Sequence, residues 1–109
     1  MVSELYEKWQ DYLFLTKEMK KFLVKRDLDL FFSLLKQRQN LQEIIEKNTD
    51  KMFYTTTEGR NLLVSIQQEN QIMMMQFNSV FNGMKKRENV AQAYEGMSNF
   101  AGGFINNKT

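Results

Sequence analysis

The chain has no cysteine, no histidine and no proline, and only five glycines in 109 residues. Each absence removes a class of explanation. Without cysteine there is no disulfide, no thiolate metal site and no thiol nucleophile, and a reducing compartment fits. Without histidine the commonest general base and the commonest metal ligand are missing. Gly96, Gly102 and Gly103 all fall in the last fourteen residues, so the body of the chain is nearly free of helix breakers. A dominant charge is lacking too: fifteen basic residues against thirteen acidic leave a net +2, too little to call for nucleic acid or a membrane as partner. No apolar run approaches the roughly 20 residues that span a bilayer. The opening Met1-Val2-Ser3-Glu4 is acidic at once and does not read as a secretory signal. The expectation is a cytoplasmic, single-domain protein.

What is present is apolar side chains at helical spacing. Hydrophobic residues make up 42%, and Leu, Ile, Val and Phe together number 30, enough for a modest core. Ser3 is a suitable N-cap, with Glu4 and Glu7 at the positive end of the helix dipole. Leu5, Trp9, Tyr12, Met19 and Leu23 then recur at steps of three, four or seven, widened by Leu13, Leu15 and Phe22. A first helix is predicted over about 3–25. Asp27 offers a second N-cap, followed by a stripe of Phe31, Leu34, Leu35, Leu41, Ile44 and Ile45. Met52 would extend that helix to about Tyr54, whereas Asn48, Thr49 and Asp50 would end it earlier. Thr55-Thr56-Thr57 before Glu58 reads as a turn and a third N-cap. Beyond it Leu62, Leu63, Ile66, Met73, Phe77, Val80, Phe81 and Met84 keep a spacing near the 3.5-residue repeat of a coiled-coil seam.

These elements predict an all-α fold, an antiparallel three- to four-helix bundle with a long third helix and a flexible C-terminal tail over 98–109. At ~1.5 Å per residue the first two helices would be ~33 and ~40 Å long. The third, if unbroken over 58–97, would reach ~60 Å. It would overrun its neighbours and leave Phe81, Met84, Val90, Tyr94 and Met97 uncovered, which apolar surface does not tolerate in water. It must fold back near Asn82-Gly83, pair with a second copy in a homodimer, or await a partner.

Catalytic chemistry is sparse. Glu43 and Glu46 form the one close acidic pair on a core-forming helix, and beside Lys47 they read as a solvated face. The Glu-x-x-His motif of di-metal bundles is impossible without histidine. No enzyme, no cofactor and no metal are expected. Three features suit binding instead. The run Lys17, Lys20, Lys21, Lys25 and Arg26 reads first as cations meeting a helix C-terminus, and second as a weak nucleic-acid face. Met73, Met74 and Met75 point ~100° apart, so at least one leaves the core. Met73 and Phe77 are expected inside, with Met74, Phe81 and Met84 toward a partner groove. Arg38 interrupts the second stripe, either snorkelling at the core edge or anchoring a partner's carboxylate or backbone.

The segments Tyr12-Leu13 through Thr16-Lys17-Glu18-Met19, then Asp27-Leu28-Asp29, then Leu34-Leu35-Lys36-Gln37-Arg38-Gln39-Asn40-Leu41 resemble the bacterial flagellar export chaperones of the FliT family. In that family an acidic start to the second helix precedes an Arg-x-x-Leu within it. The ending, Tyr94 and then Phe104-Ile105-Asn106-Asn107-Lys108, is similar to that family and to the FlgN-type chaperones. The chain departs from the pattern in lacking a tryptophan after Asp27 and in a tail rich in Asn and Gly. The resemblance implies a chaperone that binds the C-terminal helical part of an unassembled axial protein. For the FliT type that is the filament cap protein; for the FlgN type, the hook–filament junction proteins. It also implies delivery to the type III export apparatus, and a C-terminal helix able to cover the client site. Partner-binding residues would be Arg38, Met74, Phe77, Phe81, Met84 and Tyr94, with neither nucleic acid nor membrane as partner. The alternatives are a self-assembling coiled-coil scaffold and a weakly basic nucleic-acid module.

Overall fold

The computed structural model describes residues 4–82 and 95–97. Ser3, Met84, Val90, Tyr94 and the tail 98–109 lie outside the described residues. Three long helices carry the fold: α1 (Glu4–Val24), α2 (Leu28–Lys47) and α3 (Thr57–Phe81), with a single 3-10 turn (Met52–Thr55) before α3. Among the described residues there is no strand.

Local chemistry explains each boundary. At the end of α1 the N–H of Arg26 donates to the Leu23 carbonyl and that of Asp27 to the Phe22 carbonyl, which ties off two orphan carbonyls. This closure needs a left-handed residue, and Arg26 takes it at φ 61° where glycine is usual. Asp27 at once caps α2, its Oδ1 accepting from the Leu30 N–H at 3.3 Å. The connection is thus only three residues long, which forces α1 and α2 antiparallel.

The second helix does not reach Tyr54; it ends at Lys47. Asn48 Oδ1 accepts from the Asp50 N–H at 2.8 Å and Asp50 Oδ1 from the Met52 N–H at 2.9 Å. Short polar side chains here take the backbone donors that a helix would have used. Thr56 caps α3 by accepting from the Gly59 N–H at 2.9 Å. Gly59 is required, because a Cβ there would run into the Phe53 carbonyl of the preceding turn.

The helices meet along seams of heptad spacing. Buried positions in α1 are Leu5, Trp9, Tyr12, Thr16, Met19 and Leu23, and in α3 Gly59, Leu63, Ile66, Asn70, Met73, Phe77 and Phe81. Apart from the last step of four, from Phe77 to Phe81, the steps alternate between four and three, which is the spacing of left-handed coiled-coil packing. The buried side chains fall into two clusters. One joins Leu5, Trp9 and Tyr12 to Ile45, Phe53, Leu63 and Ile66. The other joins Met19, Leu23, Phe31, Leu35, Met73, Phe77, Phe81 and Met97. Both pair the end of α2 with the start of α1 and α3, or the reverse, as an up-down-up bundle requires.

The third helix is not a continuous ~60 Å rod. Helix α3 stops at Phe81, with Asn82 in an extended conformation (φ −62°, ψ 125°). Met97 is fully buried in the second cluster, and its carbonyl accepts from Asn70, 27 residues earlier. The chain has therefore returned to its own bundle. Phe81 needs no second copy to cover it: it is 6% exposed and stacked on Phe77 at 4.4 Å.

Candidate functional site

Between the two apolar clusters lies one polar layer, to which each helix contributes a residue: Thr16 from α1, Arg38 from α2 and Asn70 from α3. Arg38 does not snorkel. Its side chain is 1% exposed, because the seam position of residue 38 faces both other helices rather than their edge. Arg38 Nη1 donates to Thr16 Oγ1 and to Asn70 Oδ1, both at 2.9 Å. The guanidinium carbon stands 4.8 Å from the centre of the Tyr12 ring, a cation–π contact between two buried side chains. Thr16 Oγ1 in turn donates to the Tyr12 carbonyl at 2.9 Å.

Two features of this layer are unusual. The hydrogen-bond partners of the cation are a hydroxyl and an amide, neither of them charged, and Arg38 Nη2 has no hydrogen-bond partner. Burial accordingly pulls the Arg38 pKa down, with Tyr12 acting in the opposite sense. Burial pushes the Tyr12 hydroxyl up to about 12; Arg38 lowers it and Glu46 raises it further. That hydroxyl donates to Gln42 Oε1 at 2.9 Å, so the neutral phenol is the form the site holds.

The layer reaches outward through Asn70. Its Nδ2 donates to the Met97 carbonyl at 3.1 Å and meets Met74 Sδ at 3.4 Å. Gly96 comes so close to α2 that a Cβ there would overlap the Gln39 amide. Residues 95–97 are helical and sit between Gln39 of α2 and Asn70 of α3. The site is therefore a groove between α2 and α3, with a polar pair at one level, a Phe- and Met-rich floor below it, and a segment of the same chain seated on it.

The residues named from sequence fall as follows. Arg38 and Phe77 are inside; Phe81, expected toward a partner, is also inside and packs 5.9 Å from the Phe32 ring. Met74 is half-buried against the second cluster, whereas Met75 is 71% exposed, so the three methionines do divide between core and surface. Met84 and Tyr94 lie outside the described residues. Thr16 and Asn70 were not singled out from sequence. Their signal was a gap: the stripes step by seven from Tyr12 to Met19 and from Ile66 to Met73, and a polar residue fills each gap.

The basic run is partly committed to carboxylates. Lys20 Nζ pairs with Glu69 at 2.6 Å and Lys21 with Glu18 at 3.4 Å. Among the described residues no helix is long and apolar enough to cross a membrane. No family model, no curated protein and no solved structure matches this chain.

Proposed function

We propose that the chain is a cytoplasmic flagellar export chaperone of the FliT type. It would bind the C-terminal helical part of an unassembled axial protein, in first place the filament cap, keep it soluble and deliver it to the type III export apparatus. The observation that carries this reading is the seating of residues 95–97 against Asn70 and Gln39. A groove that accepts a short helical piece of its own chain, over a Phe- and Met-rich floor, has the shape and softness to accept a partner's helix. A filament protein's terminal helix is made to pack in an assembly and aggregates when left exposed. Covering it contributes roughly 25 cal/mol per Å² of apolar area, with no catalytic group, nucleotide or metal required. Client binding would exchange the 95–97 segment for the partner.

A long continuous third helix would favour the scaffold alternative, and α3 ends at Phe81. The nucleic-acid alternative is weakened by the Lys20–Glu69 and Lys21–Glu18 pairs. The test is co-purification with the filament cap protein, full-length and lacking its C-terminal helical part, followed by light scattering. A complex with the full-length protein alone is expected. No complex with either form, or an equally strong one with the truncated form, would overturn the reading.

A further inference from the structure

We propose that Arg38 and Asn70 form a socket for a single carboxylate carried on the apolar face of the partner helix. The inference rests on the groove reading above and adds to it the chemistry that the partner must display.

Arg38 is a permanent cation in a layer closed above and below by apolar clusters. Its Nη1 hydrogen bonds go to neutral acceptors, and Nη2, on the same rigid fork, donates to nothing. An arginine in this condition is short of an anion: the fork is built to give two parallel hydrogen bonds to a carboxylate. The neighbouring acids on the first three helices are engaged elsewhere. Glu69 holds Lys20, Glu18 holds Lys21, and Glu46 accepts from Gln42.

The same layer already demands an acceptor at its outer rim. Asn70 uses its Oδ1 to take a hydrogen bond from Arg38 and its Nδ2 to give one to the Met97 carbonyl. One amide therefore separates the cation from the oxygen that sits in the groove. A carboxylate in place of that carbonyl would bring full negative charge where only a dipole now stands, accepting from Asn70 Nδ2 with the guanidinium one amide behind it. On the side of the second cluster, Met74 and Phe77 ask for apolar groups. The fitting ligand is thus an amphipathic helix whose apolar stripe is interrupted once by Asp or Glu. A wholly apolar stripe would bury the rim while leaving the cation unanswered, which discriminates against generic sticky helices.

The probe is a set of three fluorescent amphipathic helical peptides with a Leu/Ile stripe, identical except for one central stripe position carrying Glu, Gln or Leu. Affinities are read by anisotropy for the intact protein and for Arg38→Met. The intact protein should bind the Glu peptide at least about tenfold tighter than the Leu peptide, or ~1.4 kcal/mol, with Gln between. Arg38→Met should lose or reverse that order. Equal binding of all three peptides to the intact protein overturns the socket and leaves the groove standing. So does a Glu preference that survives in a folded Arg38→Met. If no peptide binds, the groove reading falls and the socket with it. The comparison among peptides needs no altered protein, so it stands even if Arg38→Met fails to fold.

Discussion

The two apolar clusters flanking Arg38 are built differently. The one nearer the start of α1 is made of large rings with polar handles: Trp9 and Tyr12 lie 5.2 Å apart, and Trp9 Nε1 donates to the Tyr54 hydroxyl at 3.3 Å. The 3-10 turn lays Phe53 across its end, with Gly59 making room for the turn's carbonyl. Every one of its buried members lies between residues 5 and 66. The cluster at the other end stacks Phe77 on Phe81 with Phe31 beside them, and fills the remaining space with Leu23, Leu35 and the three methionines Met19, Met73 and Met97. Its last member arrives from far along the chain. Rings fixed by hydrogen bonds specify one packing, while methionine adapts to whatever lies against it. Stability thus concentrates at one end of the bundle and adaptability at the other, with a charged layer between.

The largest expected effect would break the contrast outright. Trp9→Ala should cost about 3–5 kcal/mol of unfolding free energy, since it empties the centre of the ring-built cluster. Met97→Ala, also at a fully buried side chain, should cost clearly less, at most about 2 kcal/mol, because its segment can detach while the three helices persist. Denaturant titrations of both variants check this. Equal losses would mean the two clusters are one cooperative unit.

The layer itself sharpens the comparison. Arg38→Met exchanges a buried cation for an apolar side chain of similar length, and should leave stability unchanged or raise it by about 1–4 kcal/mol. A loss of several kcal/mol in thermal or urea unfolding would show that the hydrogen bonds to Thr16 and Asn70 outweigh the desolvation of the guanidinium. Gly59→Ala tests the finished end. Ala favours a helix by about 1 kcal/mol, yet here its Cβ meets backbone, so a net loss of about 1–3 kcal/mol is expected in the same assay. A neutral result would mean that the 3-10 turn moves freely.

The smallest effect appears only in alkali. Tyr12 in the folded protein ionises at about 12, against an ordinary value of 10.0. A raised folded value means that its contribution is fully present below pH 10 and is lost as pH climbs from there toward 12. Tyr12→Phe cannot ionise, so its urea midpoint should fall less steeply above pH 10. The difference in slope should be at most about 1.4 kcal/mol per pH unit. Parallel curves for the two proteins would place the hydroxyl in contact with water after all.

Helical class, the number of long helices and two of the caps were legible in the sequence. Heptad stripes such as Leu5, Trp9, Tyr12, Met19 and Leu23 depend on periodicity alone. Asp27 and Thr56 announce helix starts because a short polar side chain can reach a free N–H two or three residues on. Arg38 could be picked out as a break in its stripe. Its surroundings could not, since Thr16 and Asn70 lie 22 and 32 residues away in sequence, and only the register between helices brings all three to one level.

The end of α3 also belonged to the tertiary structure. Propensity does not choose between a continuous helix and a break at Asn82-Gly83, because one glycine costs only about 1 kcal/mol. What tips the balance is the burial of Phe81 and Met97 in the same cluster, which a straight rod would leave in water. Periodicity decides which face of a helix is apolar; it does not say what will lie against that face. Only the packed chain shows that the layer around Arg38 is buried, that no carboxylate among the described residues accepts from it, and that a turn of its own backbone closes the groove.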